Sequence, residues 1–218
     1  MNISRLKKLL PTIVFICIII IYFFYRKQKS KSVKQLNKAI NEYNKGNIDN
    51  SKKAFLEYSK ERNLSSDEWS FLGTIYLETL NLDSAKIAFD KSLKIDNKNH
   101  KSLTGLGIYY RHKHKYKLAK KYYLEALEYK PNDSNALSSL VIIYLKQGDF
   151  KNAVLSGEQA IIFQPEKLSV KANLMLAYHF NYQLKKRDQL IQGLKEGNYP
   201  YLEDLMLIIN DEITLDDL

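Results

Sequence analysis

The sequence predicts an all-α fold, a solenoid of helix-turn-helix units preceded by one transmembrane helix. Two observations support this prediction. Residue types recur every 34 positions through most of the 218-residue chain. A fixed period of this length indicates stacked two-helix units, each of which contacts mainly its neighbours. The second observation is an uncharged segment near the N-terminus, residues 9–25.

The N-terminal segment is predicted to anchor the chain in a membrane. Residues 1–8 form a short basic tail, residues 9–25 the apolar span, and residues 26–31 a basic linker. As a helix the span would be roughly 25 Å long, slightly less than the hydrocarbon core of about 30 Å. Lys8 and Arg26 at its ends can reach the two interfaces. A cleaved secretory signal is the alternative, but a basic stretch follows the apolar run where a small-residue cleavage site would be needed.

Basic residues on both sides of the span bear on its orientation. Arg5, Lys7 and Lys8 precede it, whereas six basic residues follow it within about 15 positions. The positive-inside rule therefore favours repeats on the cytoplasmic side over the outer or periplasmic side. Because a short basic N-terminal tail often stays inside, the opposite topology remains open. In either case membrane lipid is an expected partner.

Small and aromatic residues recur at fixed positions of each unit, counted from Ser66. Positions 4, 7, 8 and 11 share one face of a first helix, and positions 20, 24 and 27 share one face of a second. Small residues at 8 and 20 would let the two helices approach closely, with aromatics at 11 and 24 beside them. Prolines at position 32 would end each second helix. The recurring residues include Gly73 and Gly107; Tyr76, Tyr110, Tyr144 and Tyr178; Ala85, Ala119 and Ala153; Phe89 and Tyr123; and Pro131 and Pro165.

This pattern resembles the tetratricopeptide repeat, a helix-turn-helix unit of 34 residues. The resemblance rests on Trp69, Leu72, Gly73, Tyr76, Ala85 and Phe89. Three units match well, residues 66–99, 100–133 and 134–167. Weaker, degenerate units occupy residues 32–65 and 168–201, and residues 202–218 are predicted to form an acidic C-terminal capping helix. The resemblance implies a right-handed superhelical stack whose first helices line a concave groove.

In such repeats positions 2, 5, 9 and 12 point into the groove, which gives a predicted partner-binding surface. Its residues are Thr74, Leu77, Lys101, Thr104, Ile108, Arg111, Ile142 and Leu145. Small and aliphatic side chains with one or two basic residues suit a peptide segment or helix that has apolar anchors and one acidic group. Co-chaperone members of the family grip a C-terminal carboxylate with Lys and Asn residues. Only Lys101 fits that pattern, so chaperone tails are disfavoured as ligands.

The formal charge of +10 is distributed unevenly along the chain. Residues 1–31 hold seven basic and no acidic residues, which favours anionic lipid over nucleic acid as the reason for the high isoelectric point. The stretch 111–121 is also strongly basic, and it is either a docking site for an acidic partner or a solvated helix end. The acidic residues of 196–218 either fold back on this stretch, contact a partner or belong to the cap.

Nothing in the sequence indicates an enzyme, a cofactor or a metal site. Four histidines are present, but no Cys or carboxylate completes a metal-ligand spacing around them, and no phosphate-binding loop or nucleophile motif occurs. The predicted function is that of a membrane-tethered scaffold or adaptor that binds a partner polypeptide in the groove. The alternative is a membrane-anchored co-chaperone, or a factor for secretion or envelope assembly, that holds client proteins. The sequence does not predict the oligomeric state.

Overall fold

The computed structural model describes residues 19–23, 26–27, 32–60, 63–210 and 214. These residues form helices and turns, and none of them lies in a strand. Residues 19–23 and 26–27 are helical, and α1 spans residues 32–44. The following helices are α2 Ile48–Ser59, α3 Ser66–Glu78, α4 Leu82–Ile95, α5 His100–His112, α6 Tyr116–Tyr129, α7 Ser134–Lys146, α8 Phe150–Phe163, α9 Leu168–Phe180, α10 Leu184–Glu196 and α11 Leu202–Ile209. The all-helical repeat fold is confirmed.

The helices follow the period of the sequence without slippage. First helices begin at Ser66, His100, Ser134 and Leu168, and second helices begin at Leu82, Tyr116, Phe150 and Leu184. Each start lies 34 residues after the previous one, and the same spacing extends back to Ile48, the first residue of α2. Local signals fix several of these starts. Ser65 and Glu68 form the predicted capping box of α3, and the side chain of Asp149 accepts a hydrogen bond from the backbone N–H of Asn152 at the start of α8.

The chain divides into two compact units, residues 1–64 and 65–218. In the first unit α1 and α2 form one helix pair with Ala39 and Phe55 buried. Ser51 occupies the position at which later repeats carry alanine, and its hydroxyl donates to the Ala39 carbonyl at 2.7 Å. The hydroxyl is therefore satisfied inside the pair, which explains why a polar residue is tolerated there.

In the second unit each first helix packs against its own second helix and against the first helix of the next repeat. Successive second helices contact each other far less. Because the first helices approach more closely, α3, α5, α7 and α9 form the inner side of the stack. This arrangement gives the unit a surface lined by first helices alone.

Glycines allow the close approach that was predicted within each repeat. A Cβ built on Gly73 would lie 2.5 Å from Phe89 Cε1, and one on Gly107 would lie 2.3 Å from Tyr123 Cε1. In the repeat of residues 134–167 the small and the large side chain exchange positions. Val141 takes the position of the glycine, and Gly157 takes the position of the aromatic residue. Leu174 of the following repeat fills the space beside Gly157, where an added Cβ would lie 2.8 Å from its Cδ1.

The turn within every helix pair contains one residue with positive φ at the same repeat position. These residues are Gly46 (φ 79°), Leu80 (53°), His114 (54°), Gly148 (71°) and Tyr182 (57°). Glycine adopts this conformation without penalty, whereas leucine, histidine and tyrosine are strained there. The turn geometry is therefore imposed by the packing of the helices in three of the five pairs.

The C-terminal helix α11 packs on α9 and buries Leu205 and Ile208. These side chains cover part of the last repeat. Of the predicted capping segment 202–218, helix α11 accounts for Leu202–Ile209. Residues 211–213 and 215–218 lie outside the described part of the chain.

Most of the predicted membrane span lies outside the described residues. Of residues 9–25 only 19–23 are described, and these are helical and exposed. Within the described ranges no helix combines the length and the apolar character needed to cross a bilayer.

Candidate partner-binding groove

The inner side of the second unit, formed by α3, α5, α7 and α9, is the candidate groove. Six of the eight predicted groove residues reach its surface. Lys101 is exposed, and the five half-buried ones are Thr74, Leu77, Ile108, Arg111 and Ile142. The other two, Thr104 and Leu145, are only 5% and 2% exposed. The predicted groove residues that reach the surface are thus mainly aliphatic, with one exposed lysine and one half-buried arginine.

Thr104 is covered because it joins two repeats. Its hydroxyl donates to Asp133 Oδ2 at 3.1 Å, and His100 Nδ1 lies 2.8 Å from the same oxygen. The other oxygen, Asp133 Oδ1, accepts from the backbone N–H groups of Asn135 and Ala136 and caps α7. This network is absent from the predictions made from the sequence. Its signal was present, since an Asp immediately before a helix start is a typical N-cap.

Leu145 is covered because it belongs to the hydrophobic core. It packs in the cluster that includes Ala153, Val154 and Leu174 and that continues into the last repeat. A partner could reach Leu145 only if this cluster opened. Its role in the described structure is to hold the third and fourth helix pairs of the second unit together.

Polar pairs along the first helices link neighbouring repeats across the groove. Lys101 Nζ lies 3.4 Å from Asp67 Oδ1, and Lys167 Nζ donates to Asn135 Oδ1 at 2.7 Å. Asn173 Nδ2 donates to the hydroxyl of Ser138 at 2.9 Å. The charge of Lys101 therefore has a carboxylate beside it already, although both side chains are solvated.

Arg111 differs from Lys101 in having no such neighbour. Its Nε is buried and has no hydrogen-bond partner, and no carboxylate of the described residues pairs with its guanidinium. The hydroxyl of Tyr123 is likewise buried, and Arg111 and Ser139 are the polar side chains beside it. Burial raises the pKa of Tyr123, and the charge of Arg111 opposes that shift. A buried donor without an acceptor costs about 1–3 kcal/mol.

The basic stretch 111–121 lies at the edge of the groove, where α5 turns into α6. Burial, reinforced by the charges of Arg111 and His114, lowers the pKa of His112 below its usual range. Lys113 Nζ is 3.8 Å from an oxygen of the exposed Asp83. Lys120 lies over the ring of Tyr144, 4.3 Å from its centroid. Carboxylates of the described chain therefore compensate little of the positive charge at this edge.

Metal chemistry has no support in the described part of the chain. Among those residues no group of three or more His, Cys, Asp and Glu side chains is placed to hold a metal ion. His114 instead packs against Tyr116, with its Nδ1 3.1 Å from the tyrosine hydroxyl. The arrangement suits non-covalent binding, with apolar contacts along α5 and α7 and a positive charge at their C-terminal ends.

Comparison with known proteins identifies the repeats. A family model, the tetratricopeptide repeat, matches residues 69–99 and 100–133. No curated protein matches the chain significantly.

Several solved structures share the fold. The PilF protein of Pseudomonas aeruginosa is 16% identical with a TM-score of 0.63, and the match covers 78% of each chain. MamA is 17% identical with a TM-score of 0.56, over 74% of this chain and 97% of MamA. In the Cut9–Hcn1 hetero-tetramer of the APC/C the TM-score is 0.72 at 16% identity, but the match spans only 36% of that chain against 82% of this one. At these identities the likeness shows the fold alone. Residues 69–133 therefore match the tetratricopeptide repeat, within an all-helical repeat fold.

Proposed function

We propose that this protein is a scaffold or adaptor that binds a segment of a partner polypeptide in the groove formed by α3, α5, α7 and α9. The observation that carries the proposal is the surface of α5 and α7. Ile108 and Ile142 lie at equivalent positions of successive repeats and are both half-buried. Aliphatic side chains in register on adjacent helices offer apolar anchor points to an extended or helical peptide.

Matched substitutions on the two sides of the stack test this proposal. Ile108→Gln with Ile142→Gln alters the groove, whereas Ile87→Gln with Leu155→Gln alters the exposed second helices α4 and α8. Ile87 and Leu155 are 56% and 49% exposed. The full chain is purified with its partners from detergent-solubilised membranes, and circular dichroism checks that each variant is folded. Loss of the same co-purifying protein in the groove variant only is expected. Equal recovery with both variants contradicts the proposal.

The proposal includes an N-terminal membrane anchor at residues 9–25 and a right-handed superhelical stack beyond it. The uncharged sequence of the span and its basic flanks support the anchor, and the larger number of basic residues after the span favours repeats on the cytoplasmic side. Alkaline carbonate extraction tests the anchor, and release of the chain into the supernatant refutes it. Protease added to right-side-out cells tests the topology. Digestion of a C-terminal tag contradicts the cytoplasmic assignment and favours the role in secretion or envelope assembly.

A further inference from the structure

Arg111 is a half-buried cation for which the described chain supplies no anion. It is the last but one residue of α5, and no carboxylate of residues 32–60 or 63–210 forms an ion pair with it. Its Nε is buried without an acceptor. Tyr123 lies close to the guanidinium, but no carboxylate of the described residues forms an ion pair with the two terminal nitrogens, so an anion of another molecule could bind there.

The other half-buried arginine of the second unit shows the usual arrangement. Arg187 Nη2 lies 2.6 Å from Asp188 Oδ1, and its Nη1 lies 3.3 Å from His179 Nδ1. Partly buried charges normally carry such a partner because desolvation is costly without one. Arg111 has no such carboxylate, so an anion from outside the chain could pair with its guanidinium without displacing an internal partner.

The surroundings of Arg111 define the chemistry of that anion. Ile108 lies three residues earlier on the same face of α5 and is half-buried, so an aliphatic contact adjoins the guanidinium. Beyond the turn that follows α5, Lys115 and Lys117 at the start of α6 form no ion pair within the described residues. Aliphatic contacts followed by positive charge match a peptide whose apolar residues precede an acidic one.

We propose that the partner segment places an acidic side chain on the guanidinium of Arg111 and an aliphatic side chain on Ile108. The carboxylate receives two N–H groups of the guanidinium, an arrangement that lysine cannot reproduce. This inference rests on the proposed function, because it names the chemistry of the segment that the groove binds. In this inference the basic stretch 111–121 attracts further acidic residues of the same segment.

Two labelled peptides test the inference on the full chain in detergent micelles. The first is a fluorescein-labelled 14-residue peptide with leucines at helical spacing and four glutamates. Its twin carries glutamines in place of the glutamates. Fluorescence anisotropy is expected to show about tenfold tighter binding of the acidic peptide. Arg111→Gln should remove that difference, and Arg111→Lys should retain only part of it. Lys94→Gln is the control, since Lys94 is exposed on α4 and gives the same change in charge.

The outcomes separate this inference from the proposed function. Equal binding of both peptides, unaffected by Arg111→Gln, overturns the inference and leaves groove binding intact. Absence of binding by either peptide up to millimolar concentration also overturns it. Vesicles of phosphatidylserine and phosphatidylcholine form a further arm. If Arg111→Gln weakens vesicle binding but not peptide binding, the site serves a lipid surface and the inference is wrong. In a last arm the acidic residues of 211–217 are neutralised. If the peptides bind only to that variant, Arg111 serves the chain's own tail, and the inference is overturned.

Discussion

The repeated positive-φ turn residue can be tested with two substitutions of the same kind. Gly148 has φ of 71°, and a Cβ placed on it would meet nothing within 4 Å. Gly193 lies inside α10 and also has open space around a built Cβ, but it has no positive φ. Alanine at either position therefore creates no steric clash. Any difference between the two variants must arise from the backbone conformation.

The two free energies of unfolding should change in opposite directions. Alanine in the left-handed region costs about 1–2 kcal/mol, offset by about 0.5–1 kcal/mol from the lower entropy of the unfolded chain. Gly148→Ala should therefore destabilise the protein by about 1 kcal/mol. Gly193→Ala should stabilise it by about 0.5–1 kcal/mol, because alanine is the better helix former.

Urea denaturation followed by circular dichroism at 222 nm measures both changes. Leu80→Gly provides a third measurement, since Leu80 is 72% exposed and loses little packing. It should be neutral or stabilising by up to about 1 kcal/mol, because glycine relieves the strain at φ of 53°. Stabilisation by Gly148→Ala, or marked destabilisation by Leu80→Gly, would refute the view that helix packing imposes this turn geometry.

Three further predictions follow from the packing and electrostatics. Gly107→Ala should lower the free energy of unfolding by about 1–3 kcal/mol, because the new Cβ must displace the buried ring of Tyr123. Urea titration measures this change, and adding Tyr123→Leu to the same chain should restore part of the lost stability. Glu158→Gln should lower the thermal midpoint at pH 7, and the difference should shrink as the pH falls through the pKa of Glu158, which the hydrogen bond from Lys186 holds below the ordinary glutamate range. A pH-independent difference would contradict this. Arg111→Met should raise the free energy of unfolding by about 1 kcal/mol, because it removes the unpaired buried Nε; a lower urea midpoint would show that the arginine is structural.

Much of this fold follows from the sequence because repeat proteins are held together by contacts between neighbouring units. The 34-residue period determined where each helix begins, and the glycines at position 8 marked the closest approach between helices. The strained turns were harder to predict. Gly46 and Gly148 suit a positive φ, but Leu80, His114 and Tyr182 give no local signal for it, so only the packed helix pair reveals their conformation.

The groove could be predicted only in part, for a similar reason. The position within a repeat indicates which side a residue faces, but the next repeat decides whether it stays accessible. Thr104 is covered because its hydroxyl binds Asp133, which caps the first helix of the next repeat. Leu145 is covered because it packs in the core of the last repeats. The missing ion partner of Arg111 is also a property of three-dimensional packing. Its charge was visible in the sequence, whereas its isolation was not.

Site-specific photocross-linking tests the central claim most directly. The full chain carries p-benzoylphenylalanine at Ile108 or Ile142 on the first helices, or at Ile87 or Leu155 on the second helices, and is irradiated in intact cells. We expect one partner polypeptide to be cross-linked from both groove positions and from neither control position, with the cross-link mapped to a single segment of the partner. Cross-links of equal yield from all four positions, or from the second helices alone, would contradict it.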